Sequence, residues 1–146
     1  MLSKIMLYAK SIFASLLAIF VCFAVLDFLW LGVIADSWYQ AEMAPLLRSA
    51  FITWPWLVFY LMYGFVVFVL AVVANRDKSL LYAGIDGALL GLASYGAYNL
   101  TAYSIIDGFT LFIMAIDWGW GTFLTSASAM AGWLGFQLLR HDARPS

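Results

Sequence analysis

Apolar residues arrive in four long runs, and most of the charged residues fall outside them. A hydrocarbon core about 30 Å thick is crossed by about 20 apolar residues of helix. Residues 11–34, 54–74, 80–103 and 110–139 each reach that length. The pattern predicts an all-α integral membrane protein, with four transmembrane helices in one bundle and a single membrane domain over residues 1–146. Thr53 stands where an N-cap of the second helix belongs, and Pro55 is tolerated in a first turn. The fourth run is longer than a span needs, so it is expected to tilt or protrude.

The connections carry their own signals. Residues 35–53 form the longest one and mix Trp38, Tyr39, Met43, Leu46 and Leu47 with polar residues. A short interfacial helix is expected there, ending before Pro45. Asn75-Arg76-Asp77-Lys78 reads as a tight polar turn, and Asp107-Gly108 as another. No repeat or low-complexity linker divides the chain. Lys4 and Lys10 before an apolar run resemble the start of a signal peptide. The run continues past Asp27 to Ile34 without a small-x-small cleavage site, so an uncleaved helix is expected.

Composition narrows the class. The chain is 66% hydrophobic and 10% charged, with a mean hydropathy of +0.96. Soluble domains hold about 45–50% apolar and about 25% charged residues. A net charge of -1 leaves no basic surface for nucleic acid. Cys22 is the single cysteine and forms no intrachain disulfide. Lys4, Lys10, Arg76, Lys78, Arg140 and Arg144 would lie on one side of the membrane and Arg48 on the other. Positive residues stay inside, so both termini are expected in the cytoplasm. Trp30, Trp38, Trp54, Trp56, Trp118 and Trp120 then fall toward the outer side as interfacial anchors, with Tyr8 and Tyr82 at the inner one.

Two acids interrupt the apolar runs. A charge near mid-membrane costs about 2.5–3.5 kcal/mol on insertion scales, so such a residue is usually paired, protonated or in use. Asp27 and Asp117 each lie about seven residues inside the outer end of a helix, about 10 Å deep at 1.5 Å per residue. The third helix brings Tyr95, Tyr98, Asn99 and Thr101 to a similar level, and the second brings Tyr60 and Tyr63. With Trp30, Trp120 and Thr122 beside the acids, these residues form the candidate ligand-binding set. No basic residue reaches that depth. Two adjacent carboxylates in low dielectric are therefore expected to share a proton or hold a cation, with Tyr60, Tyr63 and Tyr98 as donors. The plainer alternative is that the acids are protonated glue between helices.

Small residues mark packing faces. Gly84, Gly87, Ala88 and Gly91 lead to Tyr95, Tyr98 and Ala102 at helical spacing on the third helix. Asp117, Gly121, Thr125, Ser128, Gly132 and Gly135 do the same on the fourth, whether for packing within the chain or for dimerisation. Asp86 lies nearer the inner side, within reach of headgroups or of Lys78, and reads as structural.

Three blocks give the chain a family likeness: Asp27-Phe28-Leu29-Trp30-Leu31-Gly32 with Tyr39; Phe59-Tyr60 with Tyr63 and Phe68; and Tyr95-Gly96-Ala97-Tyr98-Asn99-Leu100-Thr101 followed by Asp117 and Trp120-Gly121-Thr122. With these it resembles predicted bacterial membrane proteins of about this length, catalogued as a domain of unknown function. The family usually reads Tyr-Asp-Leu-Thr-Asn in the third block, where this chain has Asn99 and Ala102 at the Asp and second Asn positions. The resemblance implies four transmembrane helices and a bacterial inner membrane, and it brings no chemistry.

His141, the only histidine, falls in the C-terminal tail. No Cys/His pair, metal constellation or phosphate loop is present, so no catalytic residue, metal or cofactor is expected. Binding or helping to translocate a small polar, amphiphilic or protonic ligand fits the two acids. Membrane lipid is the expected surrounding partner. A homo-oligomer would serve transport, because four helices are few for a private path. The alternatives are an accessory subunit whose acids only fix packing, and an acid/base isomerase of a lipid or isoprenoid using Asp27 and Asp117.

Overall fold

The computed structural model is entirely helical among the described residues. It describes the backbone of residues 2–141 and the side chains of residues 5–140. Arg144 and the side chains of Lys4 and His141 lie outside them. α1 (Leu2–Leu29) runs into a π-helical turn, Trp30–Ile34. α2 (Asp36–Met43) follows at once. α3 (Trp54–Val67) continues through a second π turn, Phe68–Val72, and a 3-10 turn, Val73–Asn75. α4 (Leu80–Ile105) and α5 (Leu111–His141) complete the chain.

Three helical stretches are long and apolar enough to cross a membrane: Ile5–Ile34, Trp54–Asn75 and Leu80–Ile105. The protein is thus an all-α integral membrane protein. α5, at 31 residues, is the longest helix, but it does not qualify by composition. Asp117 and its glycines, serines and threonines dilute its apolar content.

α5 is the centre of the bundle, and its largest interfaces are with α4 and α1. The close approach is made by small residues. A Cβ added at Gly91 would lie 2.7 Å from the Gly121 carbonyl, and one at Gly135 would lie 2.8 Å from the Ala14 carbonyl. Two α5 side chains also donate to α4 carbonyls, Trp118 Nε1 to Leu92 at 2.8 Å and Ser126 Oγ to Gly84 at 2.8 Å. The stripe on α5 serves two partners within the chain, with Gly121 and Thr125 toward α4 and Gly135 toward α1. Between lipid-bathed helices such van der Waals fit replaces the hydrophobic effect.

The helix ends around Asn75 are tied by polar groups. Asn75 is fully buried, donates from Nδ2 to Asp86 Oδ2 at 2.6 Å, and accepts from Trp133 Nε1 at 3.0 Å on its carbonyl. Asp86 thus bonds to an amide in the adjacent turn rather than to Lys78. The Lys78 ammonium sits over the Tyr82 ring, 5.4 Å from its centroid. Thr53 also departs from its expected part. It makes no side-chain cap and adopts helical angles itself, leaving Pro55 to set the first turn of α3.

α3 leans away at its N-terminal end. Its π turn packs on both α4 and α5, whereas the helix outside that turn contacts its neighbours only sparsely. A gap results among the helix halves on that side of the bundle, away from Asn75. Tyr95 fills its inner edge by lying flat on α5, where a Cβ at Gly121 would fall 2.0 Å from the ring.

Replacing Gly121 by Leu is therefore expected to destabilise the bundle by about 1–3 kcal/mol, the usual range for overpacking. Gly119→Leu is the matched control, since nothing lies within 4 Å of its added Cβ. Thermal unfolding in detergent should show a lowered midpoint for the first and an unchanged one for the second.

Candidate ligand-binding site

The gap is a cavity of about 580 Å³, to which every helix contributes. α1 and its π turn supply Asp27, Trp30 and Leu31. α3 supplies Pro55, Trp56, Phe59 and Tyr60, and α4 supplies Ser94, Tyr95 and Tyr98. α5 supplies Ile113, Asp117 and Trp120. The connector folds back over the mouth through Tyr39, Met43 and Leu47, because Tyr39 and Met43 pack on the cluster of Ala102, Phe109 and Ile113.

The two acids line this one space, and each carboxylate oxygen accepts a hydrogen bond from a neutral donor. Tyr60 donates its hydroxyl to Asp27 Oδ2, and Trp120 Nε1 donates to Asp27 Oδ1 at 3.0 Å. Tyr39 donates to Asp117 Oδ1 at 2.5 Å, and Asn99 Nδ2 donates to Asp117 Oδ2 at 2.6 Å. Asp27 thereby ties α1 to α3 and α5, while Asp117 ties α5 to α2 and α4. Burial and the Asp117 charge push the Tyr39 phenol above the ordinary tyrosine range, so it stays a donor.

An aromatic pair joins the two halves of the site. The Trp30 and Trp120 rings stack 4.5 Å apart at an angle of 5°. Trp30 Nε1 donates to the Tyr39 hydroxyl at 3.4 Å. A continuous chain of contacts therefore runs from Asp117 through Tyr39, Trp30 and Trp120 to Asp27. The π turn helps: Ala35 N donates to Trp30 O at 2.7 Å across the widened turn, and α2 starts immediately beyond it. π turns inside helices frequently mark functional positions.

Seven residues of the sequence-based set line the cavity: Asp27, Trp30, Tyr60, Tyr95, Tyr98, Asp117 and Trp120. Four do not. Tyr63 is 5% exposed and sits beneath the cavity, sharing hydrogen bonds with Ser94 Oγ at 2.7 Å and Thr125 Oγ1 at 2.9 Å. Asn99 stands behind Asp117 as a positioning residue, fully buried, with Oδ1 unpartnered among the described residues. Thr101 is exposed on the far side of α4. Thr122 donates to the Trp118 carbonyl of its own helix at 2.9 Å. The sequence reading missed Tyr39, Trp56 and Phe59 as wall residues; it gave Trp30 and Trp120 both as site residues and as interfacial anchors, and Trp56 as an anchor alone. Trp54 is 67% exposed and does not line the cavity.

Cavity chemistry is one-sided. Tyr95 lines it with a hydroxyl that makes no hydrogen bond to any described residue. No Lys, Arg or His is among the lining residues. No cluster of three or more His, Cys, Asp or Glu that could hold a metal ion occurs among the described residues.

The model of a family described as "Predicted membrane protein (DUF2177)" matches residues 12–134. The chain belongs to this family. The match runs from the first helix through most of α5 and includes both acids and every residue lining the cavity. Comparisons with curated proteins and with solved structures find no match. Within the matched stretch Asn99 gives Asp117 an amide donor.

A double-mutant cycle on Trp30→Leu and Trp120→Leu should return a coupling of about 0.5–1.5 kcal/mol, as for other aromatic pairs. Thermal or denaturant unfolding in detergent measures it. Strict additivity would show that the stack contributes nothing.

Proposed function

We propose that the protein binds an organic cation in the outer-half cavity. The observation that carries this reading is the donor set of the two acids. All four carboxylate oxygens are held by neutral groups, and no cationic side chain lines the space. Neutral donors distribute negative charge without cancelling it. A cation entering the cavity supplies what the protein withholds. The aromatic walls suit a soft, weakly hydrated cation, since each ring face over a cation contributes about 0.5–2 kcal/mol. Translocation of the same ligand is an extension of this reading and would draw on a homo-oligomer.

The membrane placement belongs to the proposal. α5 forms a fourth crossing, supported by its length of about 46 Å at 1.5 Å per residue and its central position in the bundle. One membrane domain results, in a bacterial inner membrane, with both termini cytoplasmic as the Lys and Arg distribution favours. Reporter fusions at either terminus are expected to read cytoplasmic. A fusion after Arg48 is expected to read external, and an external C-terminus would remove the fourth crossing.

The same hydrogen bonds favour a second reading, in which the acids only lock the helices together in an accessory subunit. One experiment separates the two. Full-length protein in nanodiscs is titrated with tetraethylammonium while quenching of its tryptophan fluorescence is followed. The binding reading expects saturable quenching. Asp27→Asn and Asp117→Asn should each weaken it by about tenfold, or about 1.4 kcal/mol, with unfolding midpoints near the parent's. The accessory reading expects no saturable quenching and large losses of midpoint.

A further inference from the structure

We infer that the ligand is a single-chain alkylammonium amphiphile, received sideways from the bilayer with its tail in a groove between α1 and α3. The inference rests on the organic-cation reading above and names the class of cation. A second cavity of about 530 Å³ lies against the same acid. Phe20, Phe23, Ala24, Phe28 and Gly32 line it without entering the first cavity. Asp27, Leu31, Trp56 and Tyr60 line both. The hydrogen-bonded pair Asp27 and Tyr60 therefore borders both spaces. On one side are the carboxylates and the aromatic walls, and on the other the surfaces are apolar.

This division matches a molecule with a charged head and a hydrocarbon tail. The groove walls extend from Phe20 to Gly32, about 18 Å along α1 at 1.5 Å per residue. That is the reach of a medium-length alkyl chain. Phe28 is 70% exposed and Ala24 is exposed, so the groove opens to the surroundings of the bundle. In a membrane those surroundings are lipid chains. A tail moving from lipid into an apolar groove leaves one hydrocarbon setting for another, so it gains little affinity. The head then supplies the selectivity, and the groove supplies the route and fixes the orientation. A water-borne cation would need only the mouth beneath α2.

Gly32 makes the idea testable without touching the head site. A Cβ there would meet only the Phe28 ring, at 3.7 Å, which is ordinary contact. Gly32→Leu thus fits the protein and fills the groove. Ala24→Phe is a second plug at another level of the same wall.

The probe is dodecyltrimethylammonium carrying a diazirine at the chain end, added to the full chain in nanodiscs and photolysed. Cross-links are expected on residues 20–32 and the facing part of α3. Excess tetraethylammonium should suppress them. Gly32→Leu and Ala24→Phe should remove them while keeping tetraethylammonium quenching. Cross-links scattered over lipid-facing residues such as Leu61 and Leu81, unchanged by either plug, would overturn the tail groove and leave the head site standing if quenching persists. Absence of both quenching and competed cross-linking would overturn the head reading and this inference with it.

Discussion

A carboxylate placed within an apolar bundle has to be ringed by donors, and that requirement fixes where the helix halves around Asp27 and Asp117 stand. Asp117 calls for a partner on each oxygen, and Tyr39 and Asn99 supply them. To deliver Tyr39, the connector must turn back over the bundle as soon as α1 ends. Asp27 makes the matching demand on Tyr60 and Trp120. Neither acid could be exchanged for an apolar residue without freeing two elements at once. An unpartnered polar group in hydrocarbon carries a penalty of several kcal/mol, so these bonds act as a specification of geometry as much as a source of stability.

The half of the bundle around Asn75 is built on a different principle. There Gly132 and Gly135 bring α5 against Ile19, Val72 and Ala14 so closely that a methyl group would collide. Phe136, Val67 and Ala71 are wholly buried beside them. Asn75 then stitches the end of the second span to α4 and α5 through Asp86 and Trp133. One end of the bundle is closed by fit and the other is held open by hydrogen bonds, and α3 passes from the first regime to the second. The outer cavity is the product of that passage.

Depth was legible in the sequence, but direction around each helix was only partly so. Counting residues from the helix ends placed Asp27 and Asp117 at one level, and they do line one space. The glycine stripe also pointed correctly, since Gly91 and Gly121 meet. Thr101 was grouped with the site by its level and Thr122 by its closeness to Asp117, and both by the family likeness, none of which fixes direction. At about 100° per residue, Thr101 lies about 200° round α4 from Asn99, and Thr122 about 140° round α5 from Asp117. Tyr39 was hidden for another reason. It lies in a short, mostly exposed helix, and only the tertiary contacts of Met43 and Ile113 show that this helix folds inward. Trp56 reads as a membrane anchor like the nearby Trp54, and the lean of α3 that turns Trp56 to the cavity leaves no mark in a local pattern.

The π turn at Phe68–Val72 has a bearing on how the family can vary. A π turn takes up one residue more than the α-helical turn it replaces, with Val73 N reaching back to Phe68 O. Removing that residue would restore a regular helix and swing everything on its outer side by about 100°. Tyr60 would then leave Asp27, and Trp56 and Phe59 would leave the cavity with it, although no residue of the site had been altered. Chain length within one buried turn is thus as strict a requirement as the identity of either acid. Deletions there should be filtered out by selection even where substitutions are tolerated freely.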